Sequence, residues 1–356
     1  MLYLLSFSLV SAIAVHLLLF RLAVPLGLVD IPNERKTHTG SIPVFGGLAI
    51  YLSTAVSVII FDIQIPLQSP VLLFTLVLFL FGLIDDRMGL SPKLRIIAQM
   101  VIALLSVLIG DLHLYFFGDI FGVGDFYLGF KGEILTVLAI VTAINAFNMI
   151  DGIDGLLASL LIILFSIFIW IDMANAPLYG VLLINLAVFL LFNLDIFSSK
   201  KSQKRVFMGD AGSMAFGYFV VALLLDKSQM PNIEIRPVTV LWLLAVPLMD
   251  LIAIVIRRLR KGQPLMEADR EHLHHIFMRM GFSERRALFV ISSVAIVFAC
   301  IGLVCEYLKI NETLIFFTYI GIFLVYLFFI LHAWRVVRKF NLLRRKSRGK
   351  HAKVTD

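Results

Sequence analysis

The hydrophobic residues of this chain are concentrated in long apolar stretches that short polar stretches separate. A helix of about 20 mostly apolar residues is long enough to cross the hydrocarbon core of a membrane. Stretches of this kind can be counted along the sequence, and they predict eleven membrane-spanning helices. They cover approximately residues 2–24, 44–61, 70–84, 95–110, 132–147, 156–171, 178–194, 212–226, 237–256, 287–306 and 313–334.

The composition of the chain supports this prediction. Of its 356 residues, 60% are hydrophobic and only 15% are charged, and the mean hydropathy is +0.97. Such values exceed what the core of a soluble domain requires and indicate that lipid is the solvent. The first apolar stretch lacks a basic n-region and a small-residue cleavage site, so it is predicted to remain as a span. We therefore predict an all-α polytopic membrane protein.

Lysine and arginine residues are distributed unequally between the two faces of this topology. Of the 31, 27 lie in segments on one face, and the other face holds only Lys131, Lys227, Arg236 and Lys309. Because basic residues are retained in the cytoplasm, the amino terminus is predicted to be periplasmic and the carboxyl terminus cytoplasmic. Residues 1–334 then form one transmembrane domain, followed by a basic tail, 335–356. The positive charge reflects topology and attraction to anionic lipid and phosphate, and we expect no nucleic-acid binding.

Acidic residues collect in four of the cytoplasmic segments, next to the ends of the spans. Carboxylates in such places are costly unless they are paired, metal-bound or hydrated. The segments read FGLIDDRMGLSPKLR, NAFNMIDGIDGL, RVFMGDAGS and DREHLHHIF. Their candidate functional residues are Asp85, Asp86, Arg95, Asn148, Asp151, Asp154, Asp210, Arg270, His272, His274 and His275.

Each segment alone also has a purely structural interpretation. The Asp85–Asp86 pair can be a solvated helix end, the glycine-rich stretch around Asp151 a turn, and Asp210 the cap of a span. The histidines can form the exposed face of a loop helix, and they lack the ligand spacing of a structural zinc site. The convergence of all four segments on one face favours a shared function.

Carboxylates, amides, histidines and basic side chains at a membrane surface suit one kind of chemistry. Carboxylates bind Mg²⁺ through oxygen, Mg²⁺ prefers sites that it shares with substrate phosphates, and basic side chains stabilise phosphate oxygens. A diphosphate substrate fits these residues, and the location at the ends of spans implies that its partner is a lipid. The sequence contains neither a Walker A nor a dinucleotide GxGxxG pattern, so no soluble nucleotide-binding domain is expected.

The four segments, in this order, resemble those of the polyprenyl-phosphate N-acetylhexosamine-1-phosphate transferases. The first loop, GLVDIPNERKTHTGSIPVFGG, agrees as well, and the resemblance covers nearly the whole chain. It implies that undecaprenyl phosphate attacks the β-phosphorus of UDP-GlcNAc, giving undecaprenyl-diphosphate-GlcNAc and UMP. It also implies Mg²⁺ or Mn²⁺ as cofactor and a bacterial inner membrane as location, with the active site facing the cytoplasm. The HLHH form of the histidine motif favours UDP-GlcNAc over UDP-MurNAc-pentapeptide.

The resemblance also assigns roles to individual residues. Asp210 corresponds to the Mg²⁺ ligand. The other roles are assigned as follows: near the diphosphate, Asn148 and Asp151; near the uridine, Asp154 and Phe207; positioning or deprotonating the lipid phosphate, Asp85 and Asp86; contacting substrate phosphate or sugar, His272, His274, His275 and Arg270; and as further basic residues, Lys36 and Arg95. Adjacent helix positions point about 100° apart, so Asp85 and Asp86 are expected to do different jobs.

Several alternatives stay open. The same chemistry can use another UDP-N-acetylhexosamine. A protein of a different class, an ion-coupled secondary transporter, also carries intramembrane acids, but these should lie at mid-bilayer on inverted repeats, and no repeat is visible. A structural scaffold explains none of the acidic segments. The sequence also leaves open which glycan the product starts, O-antigen of lipopolysaccharide being one case, whether the mechanism has one step or two, and whether the protein is a homodimer.

Overall fold

The computed structural model describes residues 1–30, 40–196, 205–229, 233–264, 272–335 and 337–338. These residues form thirteen α-helices, one 3₁₀ turn (Met173–Asn175) and one antiparallel pair of short strands, β1 (Val29–Asp30) and β2 (Ile42–Pro43). In chain order the helices are α1 Leu2–Leu26, α2 Gly46–Phe61, α3 Ser69–Met88, α4 Pro92–Leu108, α5 Lys131–Ile150, α6 Leu156–Ile171, α7 Ala176–Asn193, α8 Gly209–Gln229, α9 Pro237–Leu243, α10 Ala245–Lys261, α11 Leu273–Arg279, α12 Glu284–Tyr307 and α13 Glu312–Leu331.

All eleven predicted spans coincide with helices, but these helices differ in length and polarity. Among the described residues, seven helices are long and apolar enough to cross a membrane: α1, α3, α5, α7 with the preceding 3₁₀ turn, α8, α12 and α13. The apolar helices α2 and α6 have 16 residues each, and α4 has 17 residues, with Lys93 and Arg95 in its first turn. The chain is thus a polytopic helical membrane protein, while the number of eleven crossings stays a prediction.

The ninth predicted span, residues 237–256, is not one straight helix. It consists of α9 and the first part of α10, and the two helices are bent by 81° where they meet at Leu244. Pro247 accounts for the break, because proline has no N–H to donate to the carbonyl of Leu243 and its ring crowds that carbonyl. Counted as one bent span, the pair raises the number of candidate crossings to eight.

The central helix of the bundle is α8. Protein buries 78% of its apolar stretch, compared with 22% in α12 and 17% in α13, which therefore present most of their surface to lipid. Glycines let the neighbouring helices α3 and α5 approach α8 closely. A Cβ atom at Gly82 of α3 would collide with the backbone of Ala211, and one at Gly217 would lie 2.9 Å from the Cα of Ile144 in α5. These contacts fix three helix ends relative to one another.

The acidic segments meet at one end of this bundle, where α3 and α5 end and α8 begins. The opposite end of the bundle carries two of the four basic residues that the sequence places on the periplasmic face. Lys131 is the first residue of α5, and Lys227 lies in the last turn of α8. The acids therefore lie on the face that holds most of the lysines and arginines, as the charge distribution predicts.

Cysteine labelling tests which of these faces is cytoplasmic. In a variant lacking Cys300 and Cys305, a cysteine at Val123 should react with an impermeant maleimide added to intact cells. Val123 is 84% exposed in the connection between α4 and α5. A cysteine at Met88, 71% exposed at the acidic end of α3, should react only after the membrane is opened. The reverse pattern would invert the predicted topology.

Candidate active site

A cavity of about 890 Å³ opens where the acidic segments meet. Its wall includes nine of the thirteen residues that the sequence analysis names: Asp85, Asp86, Arg95, Asn148, Asp151, Asp154, Phe207, Asp210 and His275. Two others, Lys36 and Arg270, lie outside the described residues. The remaining two, His272 and His274, do not line the cavity. Segments that are distant in the sequence thus come together as predicted, with the exception of two histidines.

Asp86 caps the central helix. Its Oδ1 accepts the backbone N–H of Asp210 at 2.6 Å, and its Oδ2 accepts that of Ala211 at 3.1 Å. These N–H groups belong to the first turn of α8, where backbone donors have no partner within the helix. Gly209 permits the approach, since a Cβ atom there would lie 2.6 Å from Oδ2 of Asp86. Asp86 also lines the cavity, so its role at the lipid phosphate stays a prediction, and the structure adds a second role as the cap of α8.

Asp85 points in a different direction, as expected for adjacent positions on a helix. It is 2% exposed. Its Oδ1 accepts the backbone N–H of Leu90 at 2.7 Å, and its Oδ2 lies 2.6 Å from Nε of Arg95. Arg95 reaches in from α4, and its Nη1 also lies 3.2 Å from Oδ2 of Asp210. One arginine thus joins carboxylates from two separate segments.

Asp210 is held between side chains on two sides. Asn148 donates from Nδ2 to Oδ1 of Asp210 at 2.6 Å and to Oγ of Ser213 at 2.9 Å. On the other side, Oδ2 of Asp210 faces Arg95. The interpretation of Asp210 as a helix cap is therefore wrong, because Asp86 caps α8 and the side chain of Asp210 lines the cavity.

The turn between α5 and α6 brings two more carboxylates to the wall. Burial, together with the negative charges of Asp210, Asp154 and Asp86, raises the pKa of Asp151 to about 8. Burial also raises the pKa of Asp154 to about 6, although the positive charge of Arg205 opposes this shift. Both shifts mean that the ionised carboxylates are costly here, because burial and the neighbouring acids outweigh the nearby positive charge. This part of the wall favours a bound cation.

An extended stretch before α8 presents alternate side chains to the cavity. The backbone of Phe207 pairs with the chain that continues from β2. Because successive side chains of extended backbone point to opposite faces, Arg205 and Phe207 share the cavity face, and Val206 is buried behind them. The guanidinium of Arg205 lies 5.3 Å from the ring centre of Phe207 and forms an ion pair with Asp154. The result is an aromatic surface flanked by a cation and a carboxylate.

The three histidines occupy different positions. His275 lines the cavity together with Met278 and Arg279, which lie three and four positions later and share its helix face. His272 is buried, and its Nδ1 lies 2.8 Å from Oδ2 of Asp250. For His275 alone, the structure is compatible with the predicted contact to substrate phosphate or sugar.

His274 lies behind the cavity wall. Its side chain is 1% exposed, and its ring fills the space where a Cβ atom of Gly152 would stand. Burial, together with the neighbouring His275 and His272, lowers the pKa of His274 to about 3, so the ring is neutral. The prediction that His272 and His274 contact the substrate is therefore corrected: both are enclosed by protein behind the wall that His275 forms.

Five polar side chains of the cavity wall were not predicted from the sequence: Asp30, Asn193, Arg205, Arg279 and Glu284. Two of them had a local signal. Arg205 stands two positions before Phe207, the spacing at which extended side chains share a face, and Arg279 stands one helical turn after His275. The other three reach the wall only through contacts between distant segments, for which no local pattern exists.

The chemistry of the described residues suits Mg²⁺ better than a metal held wholly by protein. Among them, no three histidine, cysteine or carboxylate side chains are grouped closely enough to bind one ion together. Mg²⁺ commonly takes one or two carboxylates and completes its shell with water and substrate phosphates. The crowding of negative charge around Asp210 and Asp151 fits such an ion, and a closed zinc-type site is not supported.

Comparisons with known proteins agree with this geometry. Residues 69–228 match the sequence model of glycosyl transferase family 4, and they contain the DDR, NAFNMIDGIDGL and VFMGDAGS motifs. An undecaprenyl-phosphate alpha-N-acetylglucosaminyl 1-phosphate transferase of Salmonella typhi is 38% identical over 334 residues, which cover 92% of this chain and 90% of that protein.

Two further relatives carry the same name. The protein of Haemophilus influenzae is 38% identical over 328 residues, covering 91% of this chain and 92% of its own length. That of Pasteurella multocida is 40% identical over 335 residues, covering 93% of this chain and 94% of its own length. The resemblance noted in the sequence is thereby confirmed, and the chain belongs to glycosyl transferase family 4.

Proposed function

We propose that this protein transfers GlcNAc-1-phosphate from UDP-GlcNAc to undecaprenyl phosphate, giving undecaprenyl-diphosphate-GlcNAc and UMP. The observation that carries the proposal is the meeting of four polar motifs around one cavity at one end of a helical membrane bundle. The names of the relatives favour the same donor and acceptor. The protein would act in the bacterial inner membrane, with its cavity on the cytoplasmic side, at the first membrane step of a surface polysaccharide.

The reaction joins an oxygen of the lipid phosphate to the β-phosphorus of UDP-GlcNAc. The bond between that phosphorus and the bridging oxygen breaks, and UMP leaves with the electron pair. A phosphate monoester has a second pKa of about 6, so the acceptor is mostly a dianion at neutral pH and needs little help from a general base. The protein must mainly neutralise charge and align two anions. Mg²⁺ bound through Asp210 would supply part of that positive charge.

Different side chains of the cavity suit the phosphates and the uracil of the donor. Arg95, Arg205 and Arg279 lie in its described wall, and guanidinium groups suit phosphate oxygens because they donate two parallel hydrogen bonds. Phe207 offers an aromatic face on which a uracil ring can stack, and Asp154 offers a hydrogen-bond acceptor beside it. The donor diphosphate then lies between the arginines and the carboxylates.

An apolar cleft of about 520 Å³ suits the prenyl chain of the acceptor. It lies between α5, α8, α13 and the bent pair of α9 and α10, and its lining includes Ala143, Leu248 and Phe323. The helix α5 contributes to both the cleft and the polar cavity. Ala143 and Asn148 are separated by about 8 Å along its axis, at 1.5 Å per residue. A lipid phosphate can thus enter the polar cavity while its chain stays in the cleft.

Release of UMP tests the proposed reaction. Purified protein in detergent with Mg²⁺ should release UMP from UDP-GlcNAc only when undecaprenyl phosphate is present, and the lipid product should carry GlcNAc. UDP-GalNAc, offered in parallel, tests the alternative of another N-acetylhexosamine. UMP release without the lipid contradicts the transferase. Uptake of a solute into sealed vesicles, with no UMP released, favours the transporter.

The effect of Mg²⁺ on stability should depend on pH. Because the pKa of Asp151 is raised from 3.8 to about 8, the metal-free folded protein keeps a proton here that the unfolded chain releases. The folded state therefore loses stability as the pH rises from about 4 to about 8. A bound cation offsets the repulsion, so Mg²⁺ should raise the melting temperature more at about pH 8 than at about pH 6. Thermal unfolding in detergent measures this difference.

The matched variant is Asp151→Asn, which carries no titrating group at this position. It should show a Mg²⁺ effect on the melting temperature that varies less with pH. A wild-type protein that Mg²⁺ stabilises equally at both pH values would contradict the charge imbalance.

A further inference from the structure

A carboxylate outside the cavity engages the start of the histidine helix. Asp250 lies on α10 and is 2% exposed. Its Oδ2 lies 2.8 Å from Nδ1 of His272, and its Oδ1 accepts both the backbone N–H of Leu273 at 3.1 Å and the hydroxyl of Tyr326 at 2.7 Å. An ionisable residue buried among membrane helices is costly, so an aspartate with three hydrogen-bond partners at this place is a candidate for a function.

The helix α11 needs such contacts. It has seven residues, and isolated helices shorter than about 12 residues are marginal in water. Leu273 is its first residue, so its N–H has no acceptor within the helix, and Asp250 supplies one from α10. At the other end of α11, the guanidinium of Arg279 lies 4.5 Å from the ring centre of Trp334, which follows α13. Both ends of α11 are therefore tied to neighbouring elements.

One face of α11 forms part of the cavity wall, and it carries His275 and Arg279. Asp250, His272 and Tyr326 do not line the cavity. Their described contacts lead to the cavity wall through the start of α11, where Asp250 bonds to His272 and Leu273.

We propose that Asp250 is a positioning residue: it holds His272 and the first turn of α11 so that His275 and Arg279 face the cavity. The ring of His272 is then an anchor that donates to a carboxylate, and it does not touch substrate. Carboxylate–histidine pairs of this kind fix the orientation and the tautomer of the ring. The activity tests of this inference rest on the proposed transferase function, whereas its test by hydrogen–deuterium exchange does not.

Alanine and asparagine variants on both sides of the pair test the proposal. Asp250→Ala and His272→Ala remove the tie, and each should lower kcat for UMP release by about ten- to a hundredfold. Asp250→Asn keeps an acceptor for Leu273 and Tyr326, and the amide of His272→Asn can donate where the ring Nδ1 stands. Both asparagine variants should therefore retain several times more activity than their alanine counterparts.

The double alanine variant separates an anchor from a catalytic group. If the two side chains form one tie, removing both should cost no more than removing one. If His272 acted on the substrate independently, the two losses would multiply, and this result would overturn the proposal. Tyr326→Phe is the matched control. It removes one hydrogen bond but leaves the pair, so its kcat should stay within about twofold of wild type.

Hydrogen–deuterium exchange gives a measurement that does not depend on activity. Peptides covering residues 272–280 should exchange faster in Asp250→Ala than in wild type, whereas peptides of α8 should not change. Unchanged exchange together with an unchanged kcat would refute the positioning role. Should Asp250→Ala not fold, the two His272 variants carry the same test. A wild-type protein that releases no UMP would refute the proposed function, while the exchange experiment would still decide the role of Asp250.

Discussion

Replacing Asp210 by asparagine is expected to abolish transfer across all Mg²⁺ concentrations, or to shift the Mg²⁺ requirement far upward, without loss of folded protein. The amide keeps the shape of the side chain and can still accept the hydrogen bond from Asn148. It removes the charge that faces Arg95 and that would bind the cation. The loss in kcat should be at least about a hundredfold, the usual cost of removing one preorganised electrostatic contact. UMP release over a Mg²⁺ series measures it.

Asp226→Asn is the matched control for this experiment. It changes the same charge on the same helix, but at the opposite end of α8 and outside the wall of the polar cavity. It should retain turnover and metal dependence. An Asp210→Asn enzyme that behaves like the control would remove Asp210 from the metal assignment.

Asp86→Asn is expected to lower turnover by about a hundredfold and, unlike Asp210→Asn, to lower the melting temperature as well. The carboxylate accepts two backbone N–H groups of α8. The two N–H groups bond to different oxygens of Asp86, and in asparagine one of these oxygens becomes an NH₂ group that turns a donor toward one of the N–H groups. Loss of a helix cap costs about 1 kcal/mol. Because this cap also sets the position of Asp210, binding of UDP-GlcNAc should weaken together with turnover.

Asp85→Asn is the comparison for this variant. It can still accept the N–H of Leu90, and what it loses is the charge paired with Arg95. Its effect should fall on turnover with little change in the melting temperature. Thermal unfolding, donor binding and UMP release on both variants separate the two roles. Equal melting temperatures for Asp86→Asn and wild type would show that the cap contributes little.

The helices could be predicted from the sequence because hydropathy alone decides which segments lipid will accept. All eleven apolar stretches coincide with helices for this reason. The bend at Leu244 was missed although Pro247 gives a local signal for it, because a hydropathy window averages over the proline. The short lengths of α2, α4 and α6 were not visible either, since helix ends depend on turns and capping contacts as well as on apolarity.

The site was predictable where each motif carries its own chemistry and unpredictable where a residue acts through a distant partner. Asp210 and Asn148 could be named from their own segments. That Asp86 caps α8 depends on a contact across 124 positions, and the bond between Asp250 and His272 joins residues that are 22 positions apart on different helices or segments. No pattern within either segment shows these pairings. All three histidines were predicted to contact substrate for the same reason: the burial of His272 and His274 depends on the packed protein and not on the motif.

The contact between Gly82 and Ala211 sets the distance between α3 and α8 at the end of the bundle that holds the active site. Asp86 lies one helical turn beyond Gly82 on α3, and Ala211 both touches Gly82 and donates to Asp86. The spacing between the carboxylate and the helix that it caps is therefore set by the absence of a single methyl group. Changes to lipid-facing side chains nearby would alter only the outer surface of the bundle. One carbon atom added at position 82 would instead act as a wedge, which would part the two helices and leave a membrane-inserted protein with its catalytic end out of register.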